Sequence, residues 1–471
     1  MENWKGMRTF IPYEPNQPFL LPPDLREWLP EGSLALFISD VVDTLDLSEI
    51  YQVYEGDDRG HPAYHPAMMV KLLLYGYSTG KVSSRKIERA TWDEVAYRVL
   101  AANQHPDHSS IAAFRQRHLR ELGKLFTQVL KLCQIAGLVE LGHLALDGTK
   151  VKANASKHKA MSYGRMADVE RQLEREIEEL LRLAERADAK EDAEFGKGQL
   201  GDDLPKELQR RESRLLKLKE AKAQLEAEAK IEAEARKREV EEKLAERERE
   251  QEKKGRKPGG RPPAAPDPER AVPRTQAQKN FTDPDSRIMV DSSSKSFVQA
   301  YNAQAVVDAK AQVIVAAAVT QEVNDKEQLV PMLKEAVANL GKAPLVASAD
   351  AGYFSAKAVE DKALTGVDLY VPPDKQKHRD VPPPVDNPVP EDGPVGERMR
   401  HKLRTDQGRD IYRRRKAIVE PVFGQIKEVR GFRRFSLRGF DQVAAEWDLI
   451  CLTHNLLKLF HSGWRPAVVG G

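Results

Sequence analysis

Residues 165–257 are too charged to belong to a globular core. They hold 25 Lys/Arg and 27 Asp/Glu and almost no aromatic residues. Apolar residues nevertheless recur there at helical spacing. Val169, Leu173, Ile177, Leu180 and Leu181 make one stripe, and Leu208, Leu215, Leu218 and Leu225 repeat at intervals of seven, three and seven. A narrow apolar stripe on a charged helix needs a partner helix. With FGKGQLGDDLP at 195–205 as the turn, the spacing predicts a long helical hairpin over 161–257, a coiled-coil-like arm serving as spacer, dimerisation element or DNA contact. A Gly/Pro-rich basic linker follows at 258–279. Globular structure must therefore lie on both sides of this insertion.

Across 471 residues, 75 Lys/Arg face 73 Asp/Glu, a formal charge of +2, so charge must be read locally. The two cysteines, Cys133 and Cys451, make neither a disulfide framework nor a metal set, which suits a reducing compartment. No run reaches membrane-spanning length, and MENWKGMRTFIPYEPN lacks the apolar core of a signal peptide. These features predict a cytoplasmic protein without a membrane partner.

Residues 1–30 read as an irregular arm rich in Pro and aromatics. The chain then turns helical, with apolar residues from Leu34 to Leu45 and again over Pro66–Tyr77. Ser83 or Ser84 caps a further helix and Ser109 another. The last carries Arg115, Arg117, His118 and Arg120 beside Ile111, Phe114 and Leu119. Short helices ending in a basic one suit a DNA-reading region over 1–135; a plain bundle with a solvated basic face fits equally well.

The other globular part reads as one domain split in sequence, 136–160 and 280–465. LGHLALDGTKVKANAS at 141–156 is a strand with an acid, Asp147, set into it. Strands follow at 287–290, 297–308 and 311–320, then a helix over 325–340 capped by Asn324 or Asp325. Next come a short strand 345–349 ending in Asp350-Ala351-Gly352-Tyr353, a helix 355–364 and a strand 368–371. The alternation predicts an α/β domain built on a mixed five-stranded sheet with helices on both faces. Arg398–Arg438 carries 14 Lys/Arg against 4 Asp/Glu, a local excess of +10. A closing helix, 442–460, offers Trp447, Ile450, Cys451, His454 and Leu457 to the core.

An acid in a buried strand is costly unless a cation meets it. Asp350 repeats the anomaly of Asp147, and two such strands in one sheet bring both carboxylates to one edge. Acids that close repel unless cations are bound. Oxygen donors without a Cys/His set favour Mg²⁺, with Mn²⁺ as substitute, and a pair of such ions can activate water at a phosphodiester. Glu420 is the best third acid. On a helical wheel Arg413, Lys416 and Lys427 fall within about 40° of it, while Arg415 points toward the apolar stripe of Val419, Val422, Phe423 and Ile426.

Asp147 in LALDGTKVKANAS, Asp350 in SADAGYFS and Glu420 in YRRRKAIVEPVFGQIK resemble the three acids of bacterial insertion-sequence DDE transposases. The run Tyr301–Asp308 and the terminal helix with Trp447 and His454-Asn455-Leu456 extend the resemblance, and the charged insertion is similar to that of the insertion sequence eleven-eighty-two group. The resemblance implies a ribonuclease-H-like domain with two Mg²⁺ that cuts terminal inverted repeats and joins their 3′-OH ends to target DNA. It implies a homodimer on double-stranded DNA. Against the related pattern of Tyr, two residues, Arg, three residues, Glu, six residues, Lys, the chain keeps the interval from Glu420 to Lys427, and Tyr412, one residue further from Glu420 than the pattern has it, is carried over. Lys416 stands where the Arg belongs. Tyr412, Arg413, Lys416 and Lys427 are thus the expected phosphate contacts. Two rivals remain at this stage: a non-catalytic dimeric DNA-binding protein, and a nuclease of the same fold that does not join strands.

Overall fold

The computed structural model describes residues 24–54, 63–156, 159–195, 204–254, 263–291, 295–375, 383–385, 387–390 and 392–466. Most of the arm expected at 1–30, most of the turn expected at 195–205 and the start of the linker lie outside them. The chain divides into two units, Met1–Ala136 with Leu452–Gly471, and Gly137–Cys451.

The first unit is helical: α1 (Leu34–Val42), α2 (Ser48–Gln52), α3 (Pro66–Ser78), α4 (Ser84–Asp93), α5 (Val95–Leu100), α6 (His108–Arg117) and α7 (Leu119–Ile135). Apolar residues at three- and four-residue spacing bury Phe37, Ile38, Leu72, Leu73 and Tyr77 completely or nearly so. The chain from Leu452 completes this core: Phe460 lies 5.4 Å from Phe37, ring to ring, and the Cys133 thiol donates to the Asn455 carbonyl at 3.8 Å. His454 is buried, as expected of a core histidine. Asp107, not Ser109, caps α6, accepting from the N–H groups of Ser109 and Ser110 at 2.8 and 3.0 Å.

The second unit is built on a sheet. Its strands are β1 (His143–Lys152), β4 (Arg287–Val290), β5 (Phe297–Asp308), β6 (Ile314–Thr320), β7 (Val346–Ala349) and β8 (Asp368–Tyr370). β5 runs antiparallel to β1, whereas β7 and β8 continue parallel to it. Ala300 pairs with Lys152 of β1 on one side and Arg287 of β4 on the other, and Asn302–Val307 pair with β6 on that second side. β4 and β6 therefore share one edge of β5, end to end. Six strands, each matching a segment read from the sequence, fill five positions, because β4 and β6 share one of them.

Two helices leave and re-enter this unit between β1 and β4: α8 (Tyr163–Phe195) and α9 (Leu204–Lys254). The short pair β2 (Ala160–Ser162) and β3 (Gln278–Asn280) joins the outgoing and returning chain. Ion pairs Glu170–Lys222, Glu174–Lys219 and Glu176–Arg211 run in opposite senses along α8 and α9, so the two are antiparallel. Met166, Leu173, Leu218, Ala221 and Leu225 are buried between them, whereas Leu181 is exposed.

The remaining helices are α10 (Leu329–Leu340), α11 (Ala356–Val359), α12 (Val395–Lys402), α13 (Asp406–Gly424) and α14 (Phe440–His461). α10 starts at Leu329 and not at Asp325, because other side chains engage the Asp325 carboxylate. α13 packs across β1, β5, β7 and β8. It continues through Pro421, whose missing N–H leaves the Ala417 carbonyl without its usual donor; the Gln312 side chain supplies one at 3.0 Å. A wider π turn, Gln425–Val429, follows directly.

Trp447 of α14 is fully buried, and its indole N–H donates to the Gln304 carbonyl of β5 at 2.9 Å. Phe423 and Phe435 lie at 6.5 and 6.4 Å from its ring. Trp447→Ala is expected to destabilise the sheet unit by about 3–5 kcal/mol, read as an earlier urea unfolding midpoint; an unshifted midpoint would show that this ring does not anchor the sheet.

Candidate active site

Strand register sets the centre of the site. β1 and β7 are parallel with Leu146 opposite Ala349, so the next step places Asp147 opposite Asp350. Neighbouring strands run about 4.8 Å apart. Each carboxylate is held by the backbone, Asp147 accepting from the N–H of Gly148 at 2.9 Å and Asp350 from that of Gly352 at 2.8 Å. Burial pushes the Asp147 carboxyl up to about 6; the Arg415 guanidinium opposes that shift and the Asp350 charge adds to it.

Arg415 is the cation that makes Asp147 tolerable. Its Nη1 lies 3.2 Å from Asp147 Oδ2, its side chain is 7% exposed, and Tyr412 flanks it at 5.7 Å. The wheel reading correctly turned Arg415 inward but assigned it to apolar packing; it enters the acid site instead. Burial raises the pKa of the Tyr412 hydroxyl.

Glu420 is not brought to the pair. It is solvent-exposed, and no hydrogen bond or ion pair reaches it among the described residues. Five residues separate it from Arg415, roughly 140° on a helix, so both cannot face one strand. Arg413, Lys416 and Glu420 share the solvent-facing ridge, with Arg413 paired to Asp410 at 2.7 Å. Lys427, within the π turn, leaves that ridge and donates to the Lys150 carbonyl on β1 at 2.9 Å. Among the described residues no group of three or more His, Cys, Asp or Glu side chains is gathered closely enough to hold a metal ion.

The expected DNA-reading helix is two helices, broken at His118. Arg115 faces the core of its unit and donates to the Val82 carbonyl at 2.8 Å, so it is not a reading residue on the surface. Arg117 on α6 and Arg120 on α7 are exposed.

The sequence reading also missed the polar layer on the opposite face of β1. Side chains alternate along a strand, so Gly148 and Lys150 face away from Asp147, and the register sets Gln304 and Asn302 beside them. Asn302 and Gln304 are fully buried. Two amides two residues apart in a strand buried almost throughout were the available signal.

The Transposase domain (DUF772) family model matches residues 23–117, and the Transposase DDE domain model matches residues 271–456. This chain belongs to the insertion-sequence DDE transposases. No curated protein and no solved structure matches it. The DDE match takes in Asp350, Arg415 and Glu420 of the transposase but not Asp147, which meets Asp350 through the pairing of β1 with β7 and Arg415 through their ion pair. No helix among its described residues is long and apolar enough to cross a membrane.

The Asp147 carboxyl lies above its ordinary 3.8, so between that value and about pH 6 the folded transposase holds a proton that the unfolded chain has lost. This contribution to stability falls as pH rises through that window. Arg415→Gln removes the opposing charge and should move the Asp147 titration above pH 6, followed by ¹³C NMR of labelled aspartate. An unchanged titration would show that the ion pair does not govern this carboxyl.

Proposed function

We propose that this transposase cleaves the ends of its element by metal-assisted phosphodiester hydrolysis and joins the freed 3′-OH ends to target DNA. The observation that carries the reading is the register that sets Asp350 beside Asp147 in adjacent parallel strands. The donors fit a hard divalent ion: carboxylate oxygens, electrostatically coupled and partly shielded from water, with no thiol or imidazole among them. Asp147 and Asp350 would hold Mg²⁺, or Mn²⁺ in its place; Glu420, expected as the third acid, faces solvent on α13 and is left out of this pair. Such ions, two in this reading, would polarise the attacked phosphate and stabilise the departing oxygen.

The chain's own groups orient the reactants. Arg415 holds the Asp147 carboxylate from one side, and Tyr412 packs against its guanidinium. Lys416 and Arg413, exposed on α13, are placed to meet backbone phosphates, which makes DNA affinity steeply salt-dependent. Lys427, tied to the Lys150 carbonyl of β1, adds a positive charge at the strand that carries Asp147. The strand order β6-β5-β1-β7-β8, antiparallel up to β1 and parallel beyond it, supports a ribonuclease-H-like catalytic domain over 136–160 and 280–465. In this reading α8 and α9 are an insertion of the eleven-eighty-two type between its first strands. The N-terminal helices bind terminal repeats, and two copies act together on two ends.

A plasmid carrying the cognate repeats tests the reading. Asp350→Asn should bind the ends as the native chain does and leave them uncut. Undiminished cutting by that variant removes the acid pair from the chemistry, and nicked or linear DNA without joined product would assign a nuclease instead.

A further inference from the structure

Asp325 lies beside the acid pair but outside the three-acid pattern. Its Oδ1 accepts from Asn302 Nδ2 at 2.6 Å and Gln304 Nε2 at 2.7 Å, and lies 3.7 Å from Lys150 Nζ. Asn302 and Gln304 are two residues apart on β5, hence on one face, and pair in register with Lys150 and Gly148. One carboxylate oxygen thus gathers three side chains from the two central strands.

The contacts then run on to Asp350. The Gln304 amide is engaged at both ends, its Nε2 on Asp325 and its Oε1 accepting from the Tyr353 hydroxyl, which fixes its orientation. Tyr353 closes the turn that opens at Asp350, its N–H donating to the Asp350 carbonyl at 3.2 Å. Two glycines mark how closely these groups meet. A Cβ at Gly148, the residue after Asp147, would lie 2.4 Å from Gln304 Nε2, 2.9 Å from Asp325 Oδ1 and 3.0 Å from the Tyr353 hydroxyl. A Cβ at Gly352 would lie 2.9 Å from Asp350 Oδ1 and 3.7 Å from Asp325 Oδ2. The second oxygen of Asp325 therefore faces the Asp350 turn.

We propose that Asp325 is a positioning residue for the acid pair, holding the Asp350 turn in register with Asp147 through Gln304 and Tyr353. The inference rests on the metal-dependent reading above. Buried side chains that orient metal ligands are worth about 10- to 100-fold in metal affinity when removed. A residue needed only for folding would lower the melting temperature without changing the affinity of the folded chain for the ion.

The test uses the full chain and Mn²⁺ as probe, with calorimetric Mn²⁺ titration, melting temperature, binding of repeat-bearing DNA and its cleavage measured on each variant. Asp325→Ala should weaken Mn²⁺ binding by about tenfold or more and slow cleavage at saturating DNA by a similar factor, with DNA affinity unchanged. Asp325→Asn, which keeps an oxygen for the Gln304 amide, should recover most of the Mn²⁺ affinity. Tyr353→Phe deletes one hydroxyl and keeps the buried ring, so it should weaken Mn²⁺ in the same direction even if Asp325→Ala does not fold. Native Mn²⁺ affinity in both Asp325→Ala and Tyr353→Phe, or in Tyr353→Phe where only it folds, overturns the inference while leaving the function intact. Failure of the native chain to bind Mn²⁺ overturns both.

Discussion

Two carboxylates of like charge sit on neighbouring parallel strands, and much of the surrounding structure answers their repulsion. The β1–β7 pairing leaves no latitude: with Leu146 opposite Ala349, Asp147 and Asp350 follow side by side. On one face of β1 the guanidinium of Arg415 meets Asp147. On the other, Lys150 stands near Asp325, and its own pKa is lowered by burial despite the acids around it. Burial makes each of these pairings strong and makes the loss of either partner expensive.

This arrangement explains why α13 has its unusual form. The helix must present Arg415, Val419 and Val422 to the sheet while Arg413, Lys416 and Glu420 look outward. Pro421 interrupts its hydrogen bonding without ending it, since Gln312 serves the freed carbonyl, and the π turn then swings Lys427 onto β1. One helix thus offers a buried cation to the acid pair and a basic outer ridge to solvent. The proposed cleavage of DNA needs both surfaces.

Much of this was legible from local pattern. The strands at 287–290, 297–308 and 345–349 and the charged helical pair were readable because their periodicities are strong. The shared edge of β5 was not, because nothing local says that β4 and β6 bond to the same strand. Arg415 was placed on the inward face, yet its partner lies 268 residues away, so only tertiary structure gives it a role. Asp325 was read as a helix cap for the same reason: its chemistry is decided by Asn302 and Gln304, and the helix starts four residues later. Arg115 shows the converse, a basic residue on a seemingly exposed face that the fold turns inward to the Val82 carbonyl.

The central claim is that Asp147 and Asp350 form one divalent-cation site. Anomalous diffraction from crystals of the full chain grown with Mn²⁺ tests it most directly. The account predicts a manganese peak within bonding distance of both carboxylates, with the Arg415 guanidinium drawn back from Asp147. A peak bound elsewhere, with the Arg415–Asp147 pair intact, would contradict it.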